Sequence, residues 1–373
     1  MAATDIADNQ DRHAAFKAYR DTTRFGSLDG LRFLCILAVL WHHSPLTPIY
    51  LDQLQLAGRG FAGVDFFFVL SGFLITTLLL REEAEKGGFS LRGFYWRRIL
   101  RIVPVYFLVV TLVAVYFIGW KGQGQWSELL PYYYLFLSNF LVGDIPLLDP
   151  TWSLAVEEQY YLIWPLTLLI LPRRWVAPVL IAGIAVNVLG GAGLGQLIGI
   201  TAFDIGPLHI ALPTATYAPI LMGSLLALML RSPRGFAMLF RLCGGRFAAL
   251  FWMLTVLFAL QYLPFDLNGW PNLVLHVTMA LALSSLVVRE DNGLRPVLSW
   301  SPIRRVGQVS YGIYLYHLIA LHFATAGLAA FGVSNGWIVF MVYIALSVLI
   351  ADLSFRFFEA RFLALQRPQK KPG

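Results

Sequence analysis

Arg32 and His43 are the residues of this chain whose type and spacing first suggest chemistry. They sit near the two ends of an apolar run, LDGLRFLCILAVLWHHS, over residues 28–44. From 32 to 43 is eleven steps, and at about 100° per step these return to within about 20° of the starting direction. Both side chains therefore share one helix face, about 16 Å apart along the axis. His42 points about 80° away, which leaves His43 as the partner of Arg32. In such a pair the guanidinium offers a site for an anion and the imidazole a general base.

Four further stretches place polar side chains inside apolar runs. GRGFAGVDFFFVLSGFLITTLLL carries Asp65, an acidic residue that needs a named partner within a membrane helix, while Gly60, Gly63, Ser71 and Gly72 permit close helix approach. FYWRRILRIVPVY places Arg98 and Arg101 three residues apart on one face, where paired guanidinium groups suit phosphates. PTWSLAVEEQYYLIWP holds Trp152 and the adjacent pair Glu157 and Glu158, of which at most one can face inward. GQVSYGIYLYH sets Tyr311 and Tyr314 on one face with His317 a turn further on, forming either a packing seam or a substrate-binding surface. His209, His276 and His322 are isolated and read as structural. Asp352, Arg356 and Glu359 read as local helical pairs.

The elements that must position these residues follow from composition. The 373 residues are 58% hydrophobic and only 13% charged, about half the charged fraction of a soluble domain. The net charge of +7 lies in short Lys and Arg clusters between apolar runs, the pattern of cytoplasmic loops rather than of a nucleic-acid surface. Cys35 and Cys243 make neither a disulfide framework nor a metal site. Runs long enough to span lipid occur near 30–48, 61–80, 99–119, 153–171, 176–196, 210–230, 246–263, 271–288, 309–329 and 335–357. The shorter run 129–142 reads as re-entrant, because counting it as a span would put every later arginine cluster outside.

The expectation is an all-α polytopic membrane bundle of about ten transmembrane helices plus that re-entrant segment. Both termini, including Lys370 and Lys371, are expected in the cytoplasm. Residues 1–27 form a cytoplasmic tail, 28–360 the membrane domain and 361–373 a second tail. In this topology Arg32, Arg98 and Arg101 lie at the inner face, with His43, Asp65 and Glu157 in the outer half.

Taken together, these blocks resemble the acyltransferase-3 family. Arg32 and His43 match its Arg-X10-His signature, and GVDFFFVLSGFLI, RRILRIVP, WSLAVEEQYYLIWP and VSYGIYLYH match its further blocks in order, across about residues 26–360. One departure is that Glu359-Ala360-Arg361 lacks the proline of the family's Glu-X-Pro element. The resemblance implies transfer of an acetyl or short acyl group from cytoplasmic acetyl-CoA or another acyl-CoA to a hydroxyl of a cell-surface or exported carbohydrate, free or lipid-linked. The setting would be a bacterial plasma membrane, with no metal and no nucleic acid involved. It implies His43 as the essential histidine and Arg32, Arg98 and Arg101 as donor-binding residues. Asp65 or Glu157 would orient the imidazole, and Trp152, Tyr311 and Tyr314 would contact substrate. Transfer would be direct or through a covalent acyl-enzyme. The alternative is a transporter of an anionic or lipid-linked sugar, since intramembrane His, Asp and Glu also build proton relays.

Overall fold

The computed structural model describes residues 2–50, 54–197, 199, 202–211, 215–264 and 266–366. Lys370 and Lys371 lie outside them. Ala2–Asp21 (α1) precedes Leu28–His42 (α2), which ends where Ser44-Pro45 can no longer continue a helix. Ala62–Lys86 (α3) stops at Gly87, whose φ of +74° is the left-handed cap that glycine takes without strain. Ser90 then caps Leu91–Ala114 (α4) by accepting from the Gly93 amide at 3.1 Å. Thr151–Ile170 (α5) and Arg173–Gly191 (α6) follow. Next comes an antiparallel hairpin of Ala202–Ile205 (β1) and Leu208–Ala211 (β2), a small departure from the expected all-α bundle. The rest is helical, comprising Ala218–Arg231 (α7), Pro233–Cys243 (α8), Ala248–Tyr262 (α9), Trp270–Val287 (α10), Ser301–Gln308 (α11), Ser310–Ala330 (α12) and Gly336–Ser354 (α13).

Among the described residues six helices are long and apolar enough to cross a membrane. These are α3, α4 with its continuation to Trp120, α6, α10, α12, and α13 with its continuation to Ala364. The pair α8 and α9, bent by 75°, would make a seventh as a broken span. Each of the ten expected runs contains a helix, but ten spans are not established. The reason is partly length. With 15 and 14 residues, α2 and α7 reach only about 22 Å, against about 30 Å of hydrocarbon. Both are interior helices, and α7 buries nine of its fourteen residues. The apolar helices and the buried polar groups they enclose make this a multi-pass membrane protein.

Close helix crossings hold α2, α3 and α7 together. A Cβ on Gly72 would lie 1.9 Å from the Ile220 carbonyl oxygen, and one on Gly63 would lie 2.4 Å from that of Cys35. Only glycine lets these backbones meet. The segment 129–142 is broken into short turns around Phe136 (φ +55°) and packs on α4, where Tyr106 stacks on Phe136 at 4.4 Å and donates to the Tyr133 carbonyl at 3.0 Å. Arg59, just before α3, is buried. Its guanidinium donates to the Leu260, Leu263 and Pro264 carbonyls, satisfying the free end of α9.

Candidate active site

Six helices, α2, α3, α4, α5, α11 and α12, line a cavity of about 280 Å³ whose wall includes Arg32, Arg98, Arg101, Glu157, Tyr311 and Tyr314. Arg32 is anchored by Asp29, with Nη1 at 2.9 Å from Oδ1. Asp29 in turn accepts from Arg24 at 2.6 Å and from Gln308 at 3.2 Å. Arg98 lies over the Tyr161 ring at 5.6 Å. Among the described residues neither Arg98 nor Arg101 has a carboxylate within ion-pair distance. Two cations held in a cavity without a carboxylate at ion-pair distance favour an anion there. A second cavity, of about 340 Å³, shares Arg32, Arg101, Gln308 and Tyr311 with the first, so the arginine end has a wide vestibule.

Glu157 takes the inward position of the glutamate pair and accepts from Ser71 Oγ at 2.7 Å. Tyr311 donates to the Ile102 carbonyl at 3.2 Å, and that carbonyl belongs to the turn before Pro104. Tyr314 donates to the Pro150 carbonyl at 2.9 Å and lies 2.6 Å from Ser153 Oγ. These two tyrosines therefore both knit the helices together and line the cavity.

His43 lies beyond this wall. Its Nδ1 is 3.0 Å from the Val39 carbonyl oxygen. A carbonyl only accepts, so Nδ1 carries the proton and Nε2 keeps a lone pair. The His43 ring sits 4.8 Å from that of His317, and His317 sits 5.6 Å from Tyr314 in the cavity wall. His317 was expected with Tyr311 and Tyr314 in a packing seam or a substrate-binding surface, and nothing in the sequence ties it to His43, 274 positions away.

The carboxylates expected to orient His43 are engaged elsewhere. Asp65 Oδ2 lies 3.5 Å from His276 Nε2 on α10, because the first turn of α3 faces α10 there. Glu157 is held at the arginine end by Ser71. The Val39 carbonyl, one turn earlier on its own helix, fixes the imidazole in their place. Trp152 is also not in the cavity wall. Its ring packs edge-on, at 6.2 Å, against Phe68, which is. Ser71, Tyr161 and Gln308 are wall residues that sequence reasoning missed as site residues. Tyr161 could have been found, since it stands four residues after Glu157 on the same helix face. Of the histidines read as structural, His322 lies 3.1 Å from Tyr116 Oη across the fold and His209 lies 2.7 Å from Asp204 within the hairpin. The expected terminal pair is present, with Arg356 Nε 2.6 Å from Asp352, while Glu359 accepts from Ser354.

Residues 25–356 match the family model described as an acyltransferase domain. The chain belongs to the acyltransferase-3 family. Relatives of this acyltransferase-3 chain include the peptidoglycan O-acetyltransferase OatA of Listeria monocytogenes, 29% identical over 368 residues, covering 91% of this chain and 56% of OatA. YrhL of Bacillus subtilis, whose name assigns it the same activity provisionally, is 32% identical over 356 residues, with 89% and 54% covered. A Staphylococcus aureus protein named provisionally as an O-acetyltransferase is 25% identical over 377 residues, with 93% and 58% covered. The chain spans about half the length of the curated relatives it matches. No solved structure matches it.

Proposed function

We propose that this protein is a membrane O-acetyltransferase, moving an acetyl or short acyl group from cytoplasmic acyl-CoA to a hydroxyl of an exported or cell-surface carbohydrate. The names of the OatA and YrhL relatives favour a glycan of the peptidoglycan type. The observation that carries the reading is the pairing of Arg98 and Arg101, without carboxylate partners, in a cavity whose far wall touches the His317–His43 pair. A transporter does not need an imidazole held in a single tautomer beside the end of an anion site.

In this reading Arg98 and Arg101 bind the phosphates of the donor through charge-assisted bonds, and Arg32, steadied by Asp29, adds a third cation at the vestibule. The apolar wall of α3 accommodates the pantetheine arm. His43 Nε2 takes the proton of the acceptor hydroxyl as its oxygen attacks the thioester carbonyl, while the Val39 carbonyl keeps the ring in the basic tautomer and stabilises the imidazolium that forms. Glu157 balances the arginine charges rather than orienting the histidine. The arginine clusters of the connecting loops favour a cytoplasmic location for the arginine end and both termini.

The test is acetyl transfer by the purified full-length chain in liposomes, supplied with radiolabelled acetyl-CoA and soluble peptidoglycan fragments. The expected result is labelled, base-labile ester on the glycan with stoichiometric release of CoA thiol. An intact thioester with every glycan acceptor would contradict the reading.

A further inference from the structure

We propose that His317 is a second catalytic residue, the acid that delivers the acceptor's proton to the departing sulfur. This rests on the acyl-transfer reading above. The His317 side chain is completely buried, and its Nδ1 is 2.6 Å from the Tyr314 carbonyl oxygen. As for His43, a carbonyl partner fixes the proton on Nδ1 and leaves a lone pair on Nε2. Among the described residues that Nε2 has no hydrogen-bond partner at all. A buried polar atom left unpaired is costly and rare in native interiors, and its survival calls for a role. The second observation is position. The His317 ring lies 4.8 Å from that of His43 and 5.6 Å from that of Tyr314, a wall residue of the donor cavity. Two imidazoles, each with Nδ1 bonded to a carbonyl, thus lie in ring contact behind the Tyr314 wall of the donor cavity.

The balance is as follows. The hydroxyl oxygen forms the new C–O bond and its proton passes to His43 Nε2. The C–S bond breaks with its electron pair on sulfur. His43 passes the proton to His317 Nε2, and His317 passes it to the thiolate. The products are the O-acyl glycan and free thiol, and both imidazoles return to their starting tautomers. A thiol is a better leaving species than a thiolate held inside the bundle, so a proton delivered to sulfur lowers the barrier.

The experiment compares wild type with His317→Gln and His43→Ala, in detergent, with acetyl-CoA as donor. For His317→Gln the expected result is a fall in kcat of about 100-fold, with donor KM and CoA binding within about 3-fold of wild type. A proton inventory in mixed light and heavy water should be curved for wild type, reporting two protons in flight, and linear for the residual activity of His317→Gln. A kcat within about 3-fold of wild type, a parallel loss of CoA binding, or a linear wild-type inventory would each overturn the proposal. The wild-type inventory decides even where the variant fails to fold. A wild type that leaves acetyl-CoA intact would instead sink the acyltransferase reading itself.

Discussion

At the arginine end of the site, charged groups are spread over separate helices. Arg32 sits on α2, Arg98 and Arg101 on α4 and Glu157 on α5, with cations outnumbering carboxylates and a vestibule open beside them. At the histidine end the reverse holds. His43 and His317 each donate to a carbonyl of their own helix, three or four residues back, and His317 is sealed from solvent. The first arrangement suits a flexible polyanion that must enter and leave, because guanidinium groups on different helices can adjust to it. The second fixes tautomers by local backbone geometry, which is what proton transfer at a defined atom requires.

Substitutions at the two ends should therefore fail in different ways. His43→Ala should reduce transfer by about 10²–10⁴-fold with donor binding unchanged, measured by thiol release and by CoA titration. Replacing Arg98 and Arg101 together by Ala should raise donor KM by about 10–100-fold, and the wild-type KM should itself rise with salt while kcat holds. A kcat effect larger than the KM effect would merge the two ends. Ser71→Ala removes the donor to Glu157 and should cost about 1 kcal/mol of stability in a detergent thermal melt. The smallest effect should come from Asp65→Asn. Its neighbour is His276, away from the cavity, so activity should stay within about 3-fold of wild type. A loss approaching that of His43→Ala would restore Asp65 to the reacting centre.

Much of this architecture was readable where local rules govern it. The eleven-residue spacing does place Arg32 in the cavity and His43 at the far end of one helix. The three-residue spacing of Arg98 and Arg101 does put both in the same wall, and Gly63 and Gly72 do mark helix crossings. What escaped the sequence depends on contacts between distant segments. The pairing of Asp65 with His276 and of His43 with His317, and the burial of Arg59 against the end of α9, are tertiary choices with no periodic signature. Six helices rather than ten meet the length and apolarity of a span for a related reason. An interior helix such as α7, shielded by neighbours, is apolar without having to be as long as the bilayer is thick. For Asp65 the sequence called for a partner within the bundle without saying which, and the structure supplies His276.

The division of labour between the two ends is the central claim, and calorimetric titration of a non-reactive acyl-CoA analogue tests it most directly. Wild type and His43→Ala should bind the analogue alike, while the Arg98→Ala, Arg101→Ala double variant should bind it at least about 10-fold more weakly. Undiminished binding by the double variant, or weakened binding by His43→Ala, would contradict the account.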